Sequence, residues 1–169
     1  KAPPNRLACR PMRSSGPSRT PRKFLVVIDK SPECRVALRF AVRRAQHTGG
    51  RVTLMCVAEP PDFQQWRGVE EIMRDEAHAE AEGLLFEAAK LANDLAGIIP
   101  ELVIPFGIVT DCLIQLLKDD KDISILVLGA GTAKEGPGPL VTLFSSTVQG
   151  IPVTIVPGNF SDEQIDALA

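Results

Sequence analysis

Short apolar runs alternate with helix-like segments along most of this chain. The five runs predicted to be strands are Phe24 to Ile28, Val52 to Val57, Leu102 to Phe106, Ile123 to Leu128 and Pro152 to Val156. Their continuous apolar character is typical of strands that are buried on both faces. Strands that alternate regularly with helices form a parallel sheet with helices on both faces, because each crossover is right-handed. The sequence therefore predicts one doubly wound, five-stranded α/β domain over residues 23–158.

The segments between these strands carry signals for helix ends. Ser31 is placed as an N-cap, Pro32 follows at the first helical position, and Glu33 is an acidic residue of the first turn. Gly49 is placed to end this helix. The other helices are predicted over about residues 69–96, Val109 to Lys118 and Leu140 to Gln149.

The last residues, 159–169, predict a short C-terminal helix. Ser161 and Gln164 have the spacing of a capping box, in which each side chain bonds to the main chain of the other. The apolar Ile165 and Leu168 of this helix need a surface to cover, so we expect them to pack on the same subunit or on its partner.

Residues 1–22 differ from the rest of the chain. They are rich in Pro, Ser and Gly and contain basic residues but no acidic one, which predicts a disordered basic tail. A basic arm can contact nucleic acid or an acidic partner, but the same composition also suits a solvated leader. We expect the leader, and no nucleic-acid partner.

Composition argues against several classes of protein. The chain has 169 residues and is 44% hydrophobic, which is enough for one core. It has no run of 18 apolar residues and no apolar segment near its N-terminus like that of a secretory signal, so we expect neither a membrane span nor export. Cys9, Cys34, Cys56 and Cys112 lack metal-ligand spacing, so no metal site is predicted. We expect a cytoplasmic protein.

A glycine-rich stretch, Gly-Ala-Gly-Thr-Ala-Lys-Glu-Gly-Pro-Gly-Pro, follows the fourth predicted strand. Glycines between a strand and a helix N-terminus can form a phosphate site, because their amides are free to face an anion. In this interpretation the amides of Gly129, Gly131 and Gly136 would face the phosphates. Lys134 would offer a positive charge, and Ser145 or Ser146 would donate a hydroxyl.

The same stretch has a purely structural interpretation. Pro137 and Pro139 stiffen it and offer no N–H group, so it can equally be a rigid turn in a protein that has lost its nucleotide. The residues alone leave both interpretations open.

Four stretches of sequence carry a resemblance to a known family. They are Phe-Leu-Val-Val-Ile-Asp-Lys-Ser, Val-Thr-Leu-Met-Cys-Val, Ile-Leu-Val-Leu-Gly and Pro-Val-Thr-Ile-Val, in that order. Together they make residues 22–158 resemble the universal stress protein family. The resemblance implies a sheet of order 3-2-1-4-5, a homodimer and, in one subgroup, an ATP site without strong catalysis.

The resemblance also implies where a ligand would lie. The crevice opens beyond the carboxyl ends of strands 1 and 4, where the sheet order reverses. By similarity, Asp29 would accept a hydrogen bond from a ribose, Val57 would pack near an adenine, and Leu128 with Gly129 would line the base. Without the resemblance, Asp29 can equally hold the start of the first helix beside Ser31.

The phosphate loop departs from the family pattern. ATP-binding members resemble G-x2-G-x9-G-[ST], and counting from Gly129 only the first position fits. Counting from Gly131 recovers a hydroxyl at Ser145 but no further glycine. ATP is therefore a candidate cofactor that the motif does not settle.

No sequence motif for catalysis was found. The chain has no P-loop, no G-x-S-x-G and no dinucleotide fingerprint after the first strand. We therefore predict a non-catalytic stress-response or regulatory protein that acts as a homodimer through its last strand and on an unidentified protein partner. The alternative is a nucleotide-using enzyme, either a weak ATPase or an adenine-nucleotide hydrolase, on the same fold.

Overall fold

The computed structural model describes residues 20–60, 69–132, 134, 136–146 and 150–169. The predicted basic tail lies outside these residues as far as residue 19, and residues 20–22 are exposed. The predicted end of the fourth helix at Gln149 also lies outside them.

Within the described residues, five strands alternate with five helices. They are β1 Lys23–Val27, α1 Pro32–Thr48, β2 Arg51–Met55, α2 Glu70–Ala96, β3 Glu101–Val103, α3 Val109–Asp119, β4 Ile123–Ala130, α4 Pro139–Ser146, β5 Val153–Pro157 and α5 Asp162–Leu168. All strand pairs are parallel, and the order is β3-β2-β1-β4-β5. The predicted fold class and strand order are confirmed.

Burial on both faces of the sheet explains why the strands read as continuous apolar runs. All five residues of β1 are buried. Phe24 and Val26 pack against α1 and α2, whereas Leu25 and Val27 pack against α3 and α4 on the other face. Alternate side chains of one strand therefore supply both halves of the core.

The third predicted strand was wrong at its carboxyl end. Only Glu101–Val103 pairs with β2, and Phe106 makes an isolated bridge to Ala58. Pro105 has no N–H group to donate, so a regular ladder cannot run through the predicted strand.

The C-terminal helix docks on the same chain. The predicted capping box is present, and Ile165 is fully buried while Leu168 stays exposed. The guanidinium of Arg39 on α1 donates to both carboxylate oxygens of Asp166, with N···O distances of 2.9 and 2.7 Å. A bidentate ion pair of this kind fixes the orientation of α5 as well as its position.

In the described part of the chain, no helix is both long and apolar enough to cross a bilayer.

Ion pairs of the buried Lys23 link the start of β1 to the start of β3 and to the segment before β4. The ammonium of Lys23, a side chain only 6% exposed, lies 2.5 Å from Asp120 Oδ2 and 2.5 Å from Glu101 Oε2. Burial lowers the pKa of Lys23, but the hydrogen bonds that Lys23 donates to Asp120 and Glu101 raise it above its ordinary value. The hydrogen bond from Lys23 holds the pKa of Asp120 below its ordinary value.

We expect Asp120→Asn to reduce the free energy of unfolding at pH 7 by about 1–3 kcal/mol, because it leaves Lys23 short of one charged partner. The folded-state pKa of Asp120 lies below the unfolded value of about 3.9, so its contribution is present above that pH and is lost as the pH falls below it. Urea denaturation should therefore show a difference between wild type and variant that shrinks by about pH 3. Asp94→Asn, on the exposed side of α2, serves as the control, and a difference that does not change with pH would contradict this account.

Candidate functional site

A pocket of about 650 Å³ opens at the carboxyl edge of the sheet. The pairing of β1 with β4 ends at Val26 and Val127, and beyond this point the two strands lead to helices on opposite faces. The walls are the ends of β1, β2 and β4, one side of α2, and the first turns of α1, α3 and α4. In open α/β sheets this crevice is where ligands bind, and its volume is in the range of small-molecule sites.

The structure brings four of the eight predicted site residues together on this pocket. They are Asp29, Val57, Leu128 and Gly129. The other four, Gly131, Gly136, Ser145 and Ser146, are not among its lining residues.

Asp29 follows β1 and stabilises the turn that leads into α1. Its Oδ1 accepts hydrogen bonds from the main-chain N–H of Ser31 at 2.8 Å and from the Ser31 hydroxyl at 2.5 Å. Because the hydroxyl donates to Asp29, it does not cap α1, although Ser31 occupies the predicted N-cap position. Asp29 is exposed, and its Oδ2 makes no hydrogen bond to any described residue. Asp29 therefore has the structural role considered above, and its second carboxylate oxygen stays unbonded among the described residues.

Val57 lies where β1 and β2 part. Its neighbours Cys56 and Ala58 donate their main-chain N–H groups to the carbonyls of Val103 and Pro105, at 3.1 and 2.9 Å. Neither the N–H nor the C=O of Val57 bonds to another described residue. A donor and an acceptor this close together can pair with the edge of a heteroaromatic ring.

Three glycines at the ends of β4 and β5 surround Glu33, and we call Gly129, Gly131 and Gly158 the glycine notch. A Cβ atom on Gly129 would lie 2.2 Å from the carbonyl oxygen of Glu33. A Cβ on Gly131 would lie 2.8 Å from Glu33 Oε1, and one on Gly158 would lie 3.2 Å from Glu33 Cγ. The notch is therefore glycine because the first turn of α1 presses into it.

Sequence reasoning treated Glu33 only as an acidic residue of a first helical turn. In the structure it is half-buried, and its Oε2 is buried without a hydrogen-bond partner among the described residues. Its position near the N-terminus of α1 favours a negative charge, but an unbonded buried carboxylate oxygen is costly. One sequence feature could have pointed to this contact. Gly129 is a paired residue inside β4, and a glycine inside a strand often marks a place where another backbone comes close.

The predicted phosphate cradle is not built as expected. The N–H of Gly131 donates to the carbonyl of Pro137 at 3.3 Å, so it does not face outward. Gly136 and Gly138 have φ angles of 91° and 99°, which shows that they serve the turn itself. Pro137 and Pro139 line the pocket but have no N–H group to offer an anion.

The two candidate serines are bound within their own helix. Ser145 donates its hydroxyl to the carbonyl of Val141 at 2.7 Å, and Ser146 donates to that of Thr142 at 2.9 Å. Short polar side chains commonly bond to the preceding turn in this way. The expectation that they supply a hydroxyl to the pocket is therefore not met in this structure.

The described pocket lining is acidic. It holds four carboxylates and one ammonium, for a formal charge of −3, from Asp29, Lys30, Glu33, Glu59 and Glu80. Lys30 forms an ion pair with Glu80 across the pocket, and the hydrogen bond to Glu80 raises the pKa of Lys30 above its ordinary value. The single cation is thus already paired.

The family model for the universal stress protein family matches residues 20–148. The chain belongs to the universal stress protein family. No curated protein matches its sequence significantly.

Solved structures share the fold of this universal stress protein. UspA from Lactobacillus plantarum is 19% identical, with a TM-score of 0.65, over 80% of this chain and 96% of that one. A family member from Arabidopsis thaliana with AMP bound is 19% identical, with a TM-score of 0.59, over 85% and 95%. A universal stress protein in complex with cAMP is 16% identical, with a TM-score of 0.59, over 83% and 99%.

Two thiols also line the pocket of this universal stress protein. Burial raises the pKa of Cys34 and of Cys56 to about 11. The Sγ of Cys34 donates to the carbonyl of Val27 at 3.7 Å. Both thiols are therefore protonated at neutral pH and are poor nucleophiles. Among the described residues, no group of three or more His, Cys, Asp or Glu side chains could hold a metal ion.

We expect Gly129→Ala to reduce the free energy of unfolding by about 1–3 kcal/mol, because the new methyl group overlaps the main chain of Glu33. Gly83→Ala is the matched control, since a Cβ there meets nothing within 4 Å in an exposed part of α2. It should raise stability by up to about 1 kcal/mol. Equal effects of the two substitutions in urea denaturation would show that the notch is not tightly packed.

Proposed function

We propose that this universal stress protein is a non-catalytic stress-response or regulatory member of its family that binds an adenine nucleoside or nucleotide in the pocket between β1 and β4. The observation that carries the proposal is the presence on one pocket wall of Asp29, with a free Oδ2, and of Val57, with a free main-chain donor and acceptor. A ribose hydroxyl can donate a hydrogen bond to Asp29 Oδ2, and the edge of an adenine ring can pair with the main-chain N–H and C=O of Val57.

The apolar residues of the pocket suit the base. Leu128 is buried at the end of β4, and Leu84 and Ile108 line the pocket from α2 and from the segment before α3. Ligand pockets usually combine such apolar walls with a few placed polar groups. Two structural relatives contain AMP and cAMP, which supports an adenine ligand here. ATP stays a candidate cofactor.

A binding role suits this pocket better than catalysis. Among the described lining residues there is no histidine, and the thiols of Cys34 and Cys56 are protonated at neutral pH. General acid–base chemistry and activated nucleophiles usually need a group that titrates near neutral pH. We therefore favour a binding protein over a nucleotide-using enzyme.

Calorimetry with adenosine and AMP tests the proposal. Asp29→Asn keeps an oxygen that can accept from Ser31 and removes the charge from the ribose contact, so we expect affinity to fall by about tenfold. Asp75→Asn, an exposed position on α2 outside the pocket, should leave affinity unchanged. If neither ligand binds to wild type, and no purine compound is found by mass spectrometry in natively purified protein, the proposed function is wrong.

We further propose that two copies pair through β5 in the cytoplasm and act on a protein partner of unidentified kind. Within the described chain no strand pairs with the outer edge of β5, and Ile155 is 40% exposed on it. An open apolar edge strand is a template for pairing, and symmetric pairing closes it. The described cysteines Cys34, Cys56 and Cys112 are free thiols, as is usual in a reducing compartment.

Sedimentation velocity tests this assembly. We expect wild type to sediment as a dimer and Ile155→Glu to sediment as a monomer, because the strand edge would then place like charges together. Ile99→Glu, which changes an 89% exposed residue before β3, should leave the dimer intact. A monomeric wild type, or a dimer that Ile155→Glu does not affect, would contradict pairing through β5.

A further inference from the structure

A carboxylate of the protein lies against the glycines at the ends of β4 and β5. In parallel α/β proteins, phosphates bind against a glycine loop beside a helix N-terminus, held by main-chain N–H groups. Here the glycine notch at the ends of β4 and β5 encloses the main chain and side chain of Glu33. The anion nearest to the loop is therefore part of the protein.

Several groups that could offset a second anion are bonded elsewhere, lack a donor or lie outside the pocket. Lys134, on the loop between β4 and α4, is exposed and is not among the lining residues. The N–H of Gly131 is bonded to Pro137, and Pro137 and Pro139 have none. The one ammonium of the described lining, Lys30, is paired with Glu80. Repulsion between like charges is about fourfold stronger at the effective dielectric of a protein surface than in water, so a phosphate beside Glu33 is strongly disfavoured.

A neutral ligand meets no such penalty. The hydroxyl groups of a ribose are donors, and the carboxylates of the pocket are acceptors.

We propose that Glu33 is a built-in anion that makes the pocket selective for an uncharged purine nucleoside, of the adenosine type, over nucleotides that carry a phosphate chain. The inference rests on the proposed function, because a purine riboside must enter the pocket for the selectivity to exist. Glu33 is then the specificity-determining residue. The loop after β4 agrees with this, because it departs from the glycine pattern of the ATP-binding members.

The test is calorimetry of adenosine, AMP and ATP, each with magnesium, on wild type and three variants. For wild type we expect affinity to decrease from adenosine to AMP to ATP, with ATP at least about tenfold weaker than adenosine. Glu33→Gln removes the charge at almost unchanged volume, and it should strengthen ATP binding by about tenfold while adenosine binding changes by less than about twofold. Glu33→Ala is a second variant with the same expected direction, and thermal melting checks that both are folded.

Glu59→Gln is the matched control, since it removes one carboxylate from the pocket lining outside the notch. It should strengthen ATP binding much less than Glu33→Gln does. Equal effects of the two variants would mean that the general negative field, and not Glu33, sets selectivity, and the inference would be wrong. Adenosine and ATP binding wild type equally well would overturn the inference but leave the proposed function intact. If no ligand bound to any variant, both would fall.

Discussion

The contact between Glu33 and Gly129 fixes how the first helix meets the sheet. A Cβ atom at Gly129 would lie 2.2 Å from the Glu33 carbonyl oxygen, so α1 can start where it does only because β4 carries a glycine at this register. The position at which α1 starts determines the turn at Asp29, which lines the pocket. Packed interiors tolerate little change in volume, so one methyl group at this point is expected to disturb both packing and site.

The depth of the pocket follows from the way the sheet is buried. Helices cover both faces, with α1, α2 and α5 on one side and α3 and α4 on the other. The space left for a ligand is the carboxyl edge, where β1 turns toward one layer and β4 toward the other. The long α2 supplies the outer wall, with Ala77, Ala81 and Leu84 on the pocket side.

Shared fold does not settle the chemistry of this pocket. The relatives with AMP and cAMP are less than 20% identical to this chain, so the likeness is in the backbone. Function resides in the side chains placed on a fold, and the charged side chains of this pocket are mostly carboxylates. The acidic lining and the filled glycine notch together separate the proposed nucleoside site from a phosphate site of the usual kind.

Local patterns were enough to predict a parallel α/β sheet, and the resemblance to the universal stress protein family supplied the strand order. The apolar runs predicted the strands, Pro32 and Gly49 predicted the ends of α1, and Ser161 with Gln164 predicted the capping box of α5. Each of these signals depends on neighbours within a few residues, which the sequence displays directly.

The candidate site could be predicted only in part, and the reason is sequence distance. The carboxyl-edge residues Asp29, Val57, Leu128 and Gly129 follow from topology, because parallel strands end together. The role of Glu33 does not, since the notch that encloses it comes from β4 and β5, about a hundred residues further along the chain. Likewise the hydroxyls of Ser145 and Ser146 had two possible partners, the pocket or their own helix. The sequence by itself determined the elements and their order along the chain, and tertiary packing decided which groups face the pocket and which carboxylate lies against the loop.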